Sequence, residues 1–250
     1  AQSPQFYKQM MVGVFGRVFE TGPVFRAEKH DTSRHLNEYI SLDIETALSG
    51  GFEELVQIES AVLNSIFSKM KETCKYEIDL LNIEVPEITK IITYKFNEIK
   101  EIIFQEYKKD FRGENDLCPE EERLISKFVK EKHNSDFVFV THYPTEKRPF
   151  YAAHDPSAPK ESLSFDLLFR GLEITTGGQR LHRYEDYIAK MSKLGMNVES
   201  FESYLQCFKY GMPPHGGLGL GLERLTSLLC NLSNVKEASL FPRDVNRLEP

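Results

Sequence analysis

At 250 residues, 40% hydrophobic and 28% charged, the chain has the balance of a soluble globular protein and can bury one large core, so one domain carrying an insertion is expected. Its net charge of -7 excludes a general basic footprint for nucleic acid, so an RNA contact would need a local patch or further chain. No apolar run approaches the ~20 residues of a membrane span, residues 1–11 lack the basic and apolar regions of a signal peptide, and Cys74, Cys118, Cys207 and Cys230 form no CxxC pair, which favours reduced thiols in the cytoplasm over disulfides or zinc.

The first predicted element is a helix from Pro4 to Met11, with Ser3 as N-cap and Pro4 at the first helical position. Gln5 and Lys8 are three apart and share a face. Taken alone, such a lysine is more often solvated. Arg17 to Glu20 and Pro23 to Arg26 read as strands flanking a turn at Thr21-Gly22. Arg26 and Glu28 alternate onto one side. After a polar stretch from Lys29 to Arg34, Tyr39, Ser41, Asp43 and Glu45 alternate with Ile40, Leu42 and Ile44. The result is a hairpin with a charged inner face. Those charges meet ligands or form a structural ladder of ion pairs, because bare burial is costly.

Gly50-Gly51 breaks the chain. Leu55, Ile58, Val62, Ile66 and Met70 then mark a packing helix over residues 52–71. A short apolar-rich segment covers 78–85, and a strand and two helices span 88–109 and 119–133. Residues 116–122 supply a cap and an acidic first turn. No catalytic role is assigned between 50 and 135. Asp136 to His142 is a buried strand by its β-branched and aromatic content. Residues 153–161 form a turn-rich loop. Strands are expected over 164–169 and 171–175, which carry Asp166 and Glu173, and helices over 182–194 and 198–208. The segment 239–243 is a terminal strand or turn.

The stretch from Met212 to Leu228 is the most informative. Gly217, Gly219 and Gly221 alternate with Leu218, Leu220 and Leu222, so a strand over 217–222 has one apolar face and one nearly bare face. Glycine inside a strand marks a close approach. The strand runs into a helix whose Arg224 stands beside the bare floor, where a guanidinium can stack on an aromatic ring and face phosphates. A lone GxGxG is equally a core strand with a surface arginine.

This stretch resembles motif 3 of the class II aminoacyl-tRNA synthetases. Phe25-Arg26-Ala27-Glu28 with Arg34-His35-Leu36-Asn37-Glu38-Tyr39 resembles motif 2. Residues 2–9 (QSPQFYKQ), 173–180 (EITTGGQR) and 241–244 (FPRD) are similar to the aspartyl-tRNA synthetases in particular, of the archaeal and eukaryotic type (class IIb). Five motifs in order cover nearly the whole chain. The resemblance implies an α+β catalytic domain over 1–250, an antiparallel sheet flanked by helices, with a helical or mixed insertion over about 50–135 between motifs 2 and 3. The alternating segments 23–28, 39–45, 164–175 and 217–222 support the sheet independently. It further implies that an N-terminal anticodon-binding OB domain and motif 1, which carries much of the homodimer interface in this class, lie outside the chain.

By resemblance the activity is ligation of aspartate to tRNA through an adenylate, needing ATP, Mg2+, L-aspartate and tRNA(Asp), with tRNA(Asn) left open. Attack of a carboxylate on the α-phosphate needs no protein nucleophile; positioning and charge stabilisation suffice. Arg26 would hold the α-phosphate and the reacting carboxylate, Glu28 the adenine amino group, and His35 the outer phosphates. Leu36 and Gly221 would complete the ATP site. Tyr39 would stack on adenine, where the family often has Phe, and Arg224 would cover its other face and reach the γ-phosphate. Asp166 and Glu173 would bind Mg2+, a hard ion suited to oxygen ligands. Gln5, Thr176 (where relatives often have Ser), Asp43 for the α-ammonium, and Lys8 with Arg180 for the side-chain carboxylate would take the amino acid. Lys8 is the main argument for Asp over Asn, since two cations around a neutral amide would be uncompensated. An asparaginyl-tRNA synthetase or an asparagine synthetase paralogue is the alternative. A non-catalytic synthetase-like module is the remote one, since such modules usually lose the arginines at positions 26 or 224.

Overall fold

The computed structural model describes residues 3–249, and the side chains of residues 5–249. Gln2 and the capping side chain of Ser3 lie outside this range. Helix α1 (Ser3–Phe15) leads directly into strand β1 (Arg17–Phe25). The turn expected at Thr21-Gly22 does not form. All nine positions of β1 pair antiparallel with β2 (Glu38–Ala47), from Arg17↔Thr46 to Phe25↔Glu38. Pro23 is tolerated because β1 is an edge strand and its missing N–H costs no ladder bond there.

Helix α2 (Glu53–Thr73) follows, then the short helix α3 (Lys75–Leu80), which the apolar content of the segment did not reveal. Strand β3 (Ile92–Lys95), α4 (Phe96–Tyr107), α5 (Pro119–His133) and β4 (Phe137–Thr141) come next. The loop expected over 153–161 contains a small hairpin, β5 (His154–Asp155) and β6 (Ala158–Ser162). Strand β7 (Ser164–Phe169) pairs with β8 (Leu172–Gln179), which runs past Thr175 through Gly177 and Gly178. A Cβ at Gly177 would stand 2.4 Å from the Phe165 ring, so only glycine lets β8 continue over that ring. Helices α6 (Tyr184–Lys193) and α7 (Glu202–Lys209) precede β9 (His215–Gly221) and α8 (Leu222–Leu229).

The main sheet has seven strands in the order β1-β2-β9-β8-β7-β4-β3. Every pairing is antiparallel except β3 with β4. The fold is α+β, as the alternating segments require. One face is closed by α2 and α8, through Leu55, Leu63 and Phe67 against Phe139, Phe165, Leu167, Leu218 and Leu220. Helices α4 and α5 cover the opposite face at the β3–β4 end, through Ile99, Ile103, Ile125 and Val129 against Val138, Val140 and Leu168. A third cluster, in which Tyr187, Tyr204, Leu205 and Phe208 pack with Phe6, sits beyond the other end of the site. Between these two covers the face over β2, β9 and β8 stays open, because its side chains are charged or absent. Residues 50–135 are therefore partly integral to the sheet and core: β3 is its outer strand, and α2 supplies much of the core.

Candidate active site

The open face holds a cavity of about 340 Å³. Its floor is set by register. β2 lies beside β9 so that Ser41↔Gly221, Asp43↔Gly219 and Glu45↔Gly217 are paired. Each polar side chain of β2 thus stands next to a glycine, and Leu218 and Leu220 turn into the core. Gly219 and Gly221 line the cavity. Gly217 has a different duty: a Cβ there would lie 2.0 Å from Glu45 Oε2 and 2.1 Å from the Ile44 carbonyl. It makes room for a buried carboxylate, not for a ligand.

At one end of the cavity stand Gln5 and Lys8 of α1, Asp43 of β2 and Arg180 just after β8. Lys8 Nζ donates to Asp43 Oδ1 at 2.7 Å and to the Leu218 carbonyl at 3.1 Å, and lies 3.6 Å from Glu45 Oε2. Arg180 Nε and Nη2 donate to Glu45 at 3.0 and 3.3 Å. Glu45 is fully buried. Burial alone would raise its pKa, yet the charges of Arg180 and Lys8 carry it below the usual carboxylate value, so it is ionised. It was visible in the sequence as the fourth member of the alternation Tyr39, Ser41, Asp43, Glu45, but was given no role. As it stands the pair of cations is balanced by Asp43 and Glu45. These two carboxylates are a counter-charge that the sequence reading of the two cations did not include. Gln5 Nε2 is buried with no partner and lines this end.

The other end is arginine-rich. Arg26 and Glu28 follow β1, with Arg26 Nη1 3.9 Å from Glu28 Oε1, and the Arg26 guanidinium lies 5.8 Å from the Tyr39 ring centre. His35 accepts from or donates to the Thr32 hydroxyl at 2.6 Å. Burial and the nearby Arg224 charge lower its pKa, so its neutral form is favoured. Burial raises the pKa of Tyr39. Arg224 enters from the first turn of α8 and donates to the Glu173 carbonyl at 2.8 Å. The neighbouring Glu223 carboxylate accepts the Ile40 N–H at 2.9 Å and ties α8 to β2. Leu36 and Thr176 also line the wall, and Thr176 donates to Glu173 Oε1 at 3.0 Å.

Asp166 is the one candidate outside the cavity lining. It sits on β7 opposite Thr176 of β8, on the side of the sheet that carries the site. Its Oδ2 accepts from Arg148 Nη2 at 2.8 Å, while its buried Oδ1 has no partner. Burial and the charge of Asp166 raise the pKa of Glu173. Two neighbouring hard carboxylates, of which Asp166 has an unmet oxygen, are a donor set that a divalent cation would satisfy. Arg148 was not singled out as a site residue; the cation is 12% exposed and lies 3.9 Å from the Tyr143 ring centre.

Sequence reasoning also missed Arg34 and Glu122 as site residues. Arg34 lines the cavity, and its Nη2 donates to both Glu122 oxygens, at 2.9 and 2.7 Å. Glu122 belongs to α5, inside the stretch given no catalytic role. Burial pushes its carboxyl up to about 7 despite the guanidinium beside it. Nothing local in the sequence marks it, because an acidic first turn is ordinary in a helix.

The family profile described as tRNA synthetases class II (D, K and N) matches residues 1–245. The aspartate–tRNA(Asp/Asn) ligase of Thermus thermophilus is 49% identical over all of this chain, which covers 58% of that protein. The aspartate–tRNA(Asp) ligase of Pyrococcus abyssi is 41% identical, again over all of this chain and 57% of the relative. The solved aspartyl tRNA synthetase from Entamoeba histolytica superposes with a TM-score of 0.95 at 34% identity, covering 100% of this chain and 52% of that one. The chain thus spans little more than half the length of the relatives it matches. By a profile matched over nearly its whole length and a sheet superposable on a solved member, it belongs to the class II tRNA synthetases of the D, K and N group.

Proposed function

We propose that the chain is the catalytic portion of an aspartate–tRNA ligase, which activates L-aspartate with Mg-ATP and transfers it to the 3′ end of tRNA. The observation that carries this is one cavity with two buried cations, Lys8 and Arg180, at one end and Arg26 with Arg224 at the other. The similarity to proteins named aspartate–tRNA ligases supports it.

Charge counting supports aspartate over asparagine. Without substrate, Lys8 and Arg180 balance Asp43 and Glu45. When the α-ammonium of the amino acid takes Asp43, three cations face two carboxylates. The surplus positive charge matches a side-chain carboxylate and is unmet by an amide. In a desolvated pocket an unpaired charge costs about 1–3 kcal/mol or more. Arg180 is held by Glu45 with two of its nitrogens engaged, which leaves the guanidinium fixed in orientation for the substrate.

At the nucleotide end, Arg26 would hold the α-phosphate and the attacking carboxylate, and Tyr39 and Arg224 would sandwich adenine, with Glu28 at its amino group. Leu36 and Gly221 would line the ATP site, and neutral His35 would donate to the outer phosphates. Asp166 and Glu173 would hold Mg2+, whose role is to neutralise charge on the triphosphate, and Thr176 would stand beside them at the amino acid. The residues supply orientation and positive charge, and no covalent intermediate with the protein is required.

A homodimer is proposed from Val14, Phe15 and Phe19, which are 70%, 69% and 78% exposed along α1 and the edge strand β1. Contiguous exposed apolar groups of this size mark an interaction surface. A cytoplasmic location is proposed from the four unpaired cysteines, and no helix among the described residues is long and apolar enough to cross a membrane.

The test is ATP–pyrophosphate exchange by the full-length protein, with aspartate and asparagine run side by side. Exchange with aspartate alone is expected. Exchange with asparagine alone would place the protein with the asparaginyl enzymes. No exchange with either would leave a non-catalytic module. Arg224→Ala is expected to lower aspartate-dependent exchange by about 10²–10³-fold with the circular-dichroism spectrum unchanged.

A further inference from the structure

Helix α5 meets the site at one pair. Glu122, its side chain 7% exposed, accepts from Arg34 Nη2 with both oxygens. Two segments far apart in the chain are thereby joined: residues 26–37 between β1 and β2, and the first turn of α5. Arg34 lines the cavity, as does its neighbour His35, while Glu122 stands behind the wall.

This pair is not needed to dock either element. Helix α5 is already fixed by Ile125 and Val129 in the core and by the buried Lys100–Glu121 pair at 2.6 Å. The segment 26–37 is held elsewhere, by Val235 N–H to the Ser33 carbonyl at 2.8 Å and by Lys236 to Asp31 at 2.6 Å. What the pair does decide is where the Arg34 charge sits. A guanidinium on a cavity of this size can lie back against its carboxylate or swing across the space a ligand would fill. Long cationic side chains lose several rotamers when they are fixed, and a buried partner settles that loss before the ligand arrives.

We propose that Glu122 is a positioning residue for the nucleotide site: it holds the Arg34 guanidinium in place on the cavity wall for the nucleotide. The proposal rests on the ATP-dependent ligase reading above. It assigns a role in substrate binding to a helix that supplies no ligand of its own.

The experiment uses the full-length protein with Glu122→Gln, Glu122→Asp, Arg34→Ala and the Glu122→Gln/Arg34→Ala double variant. In exchange assays Glu122→Gln should raise KM for ATP about tenfold, with kcat and KM for aspartate changed less than about twofold. Glu122→Asp, which keeps the charge, should recover part of the loss. The double variant should be no worse than Arg34→Ala alone, because the two residues act as one unit. An unchanged KM for ATP in Glu122→Gln, with only a lowered melting temperature, would overturn the proposal. So would losses that multiply independently in the double variant. If the unsubstituted protein shows no aspartate-dependent exchange, the ligase reading fails by itself. Calorimetric titration with Mg-ATP then reads the positioning role on the same variants, and equal affinity in wild type and Glu122→Gln overturns it.

Discussion

Single residues at the amino-acid end act through charges already in place. Lys8 is buried between Asp43 and Glu45, so its removal exposes two carboxylates to each other and removes one of the two cations proposed for the substrate. Lys8→Leu should raise KM for aspartate by at least about tenfold and KM for ATP by less than about twofold in exchange assays. Equal loss of both would mean that the substitution damages the fold instead. Removing one partner of a buried pair typically costs about 3–5 kcal/mol, so a lower melting temperature is expected alongside. Of the residues proposed for ATP, aspartate and Mg2+, all except Asp166 line one cavity, so the sequence marked members of one site without showing what each binds. Glu45, Arg34, Arg148 and Glu122 were not so marked. Their importance comes from which charge each one meets, and a sequence does not print its ion pairs.

Among the elements, β9 carries the sharpest constraint. Its glycines fall into two kinds that alternation alone does not separate. Gly217 lies against the Glu45 carboxylate and the Ile44 carbonyl, whereas at Gly221 the nearest atom to an added Cβ is 3.9 Å away. Gly217→Ala should destabilise the protein by more than about 3 kcal/mol, because backbone on one side and a buried ion pair on the other cannot yield together. Gly221→Ala should leave the melting temperature within about 2 °C and show its effect in KM for ATP. Thermal unfolding of the two variants side by side checks this; equal destabilisation would mean that the register of β2 on β9 is wrong. The same register explains why the charged face of β2 was readable: a period of two puts Tyr39, Ser41, Asp43 and Glu45 on one side whatever their partners. The continuity of β1 was not readable. Thr21-Gly22-Pro23 has turn composition, and only nine successive pairings with β2 override it.

The molecule as a whole shows two further consequences. Glu59 of α2 is fully buried beneath the sheet, beside the Thr175 hydroxyl. Burial raises its carboxyl to about 8. A raised carboxyl means that the native state keeps its proton while the unfolded chain loses it. Between about pH 4.5 and pH 8 this group therefore lowers stability as pH rises, by up to about 1.4 kcal/mol per unit. Glu59→Gln removes the dependence. Its stability relative to wild type should improve by about 2 kcal/mol or more from pH 5 to pH 7.5 in urea unfolding. A constant difference would show that Glu59 is ionised in the native state. At the opposite margin, Phe15 and Phe19 leave an apolar strip along the edge of the sheet. The proposed homodimer would use this strip: Phe15→Glu/Phe19→Glu should then leave the full-length protein monomeric in sedimentation velocity where the unsubstituted protein sediments as a dimer, with the circular-dichroism spectrum retained.

The amino-acid sequence by itself determined the local periodicities and, through them, most of the strands and helices. It also determined the family, because five short motifs in order are specific where one glycine pattern is not. It determined the chemistry at hand: arginines, hard carboxylates and a bare strand, with no activated nucleophile. Tertiary structure alone decided which charges face each other. The 135-residue gap between Glu45 and Arg180, and the 88-residue gap between Arg34 and Glu122, are closed only by strand order and helix packing. Local propensity acts over a few residues, whereas desolvated charge pairing acts across whatever the fold brings within about 4 Å. The balance of cations and carboxylates that would select the substrate is therefore a property of the sheet's register and of no single segment.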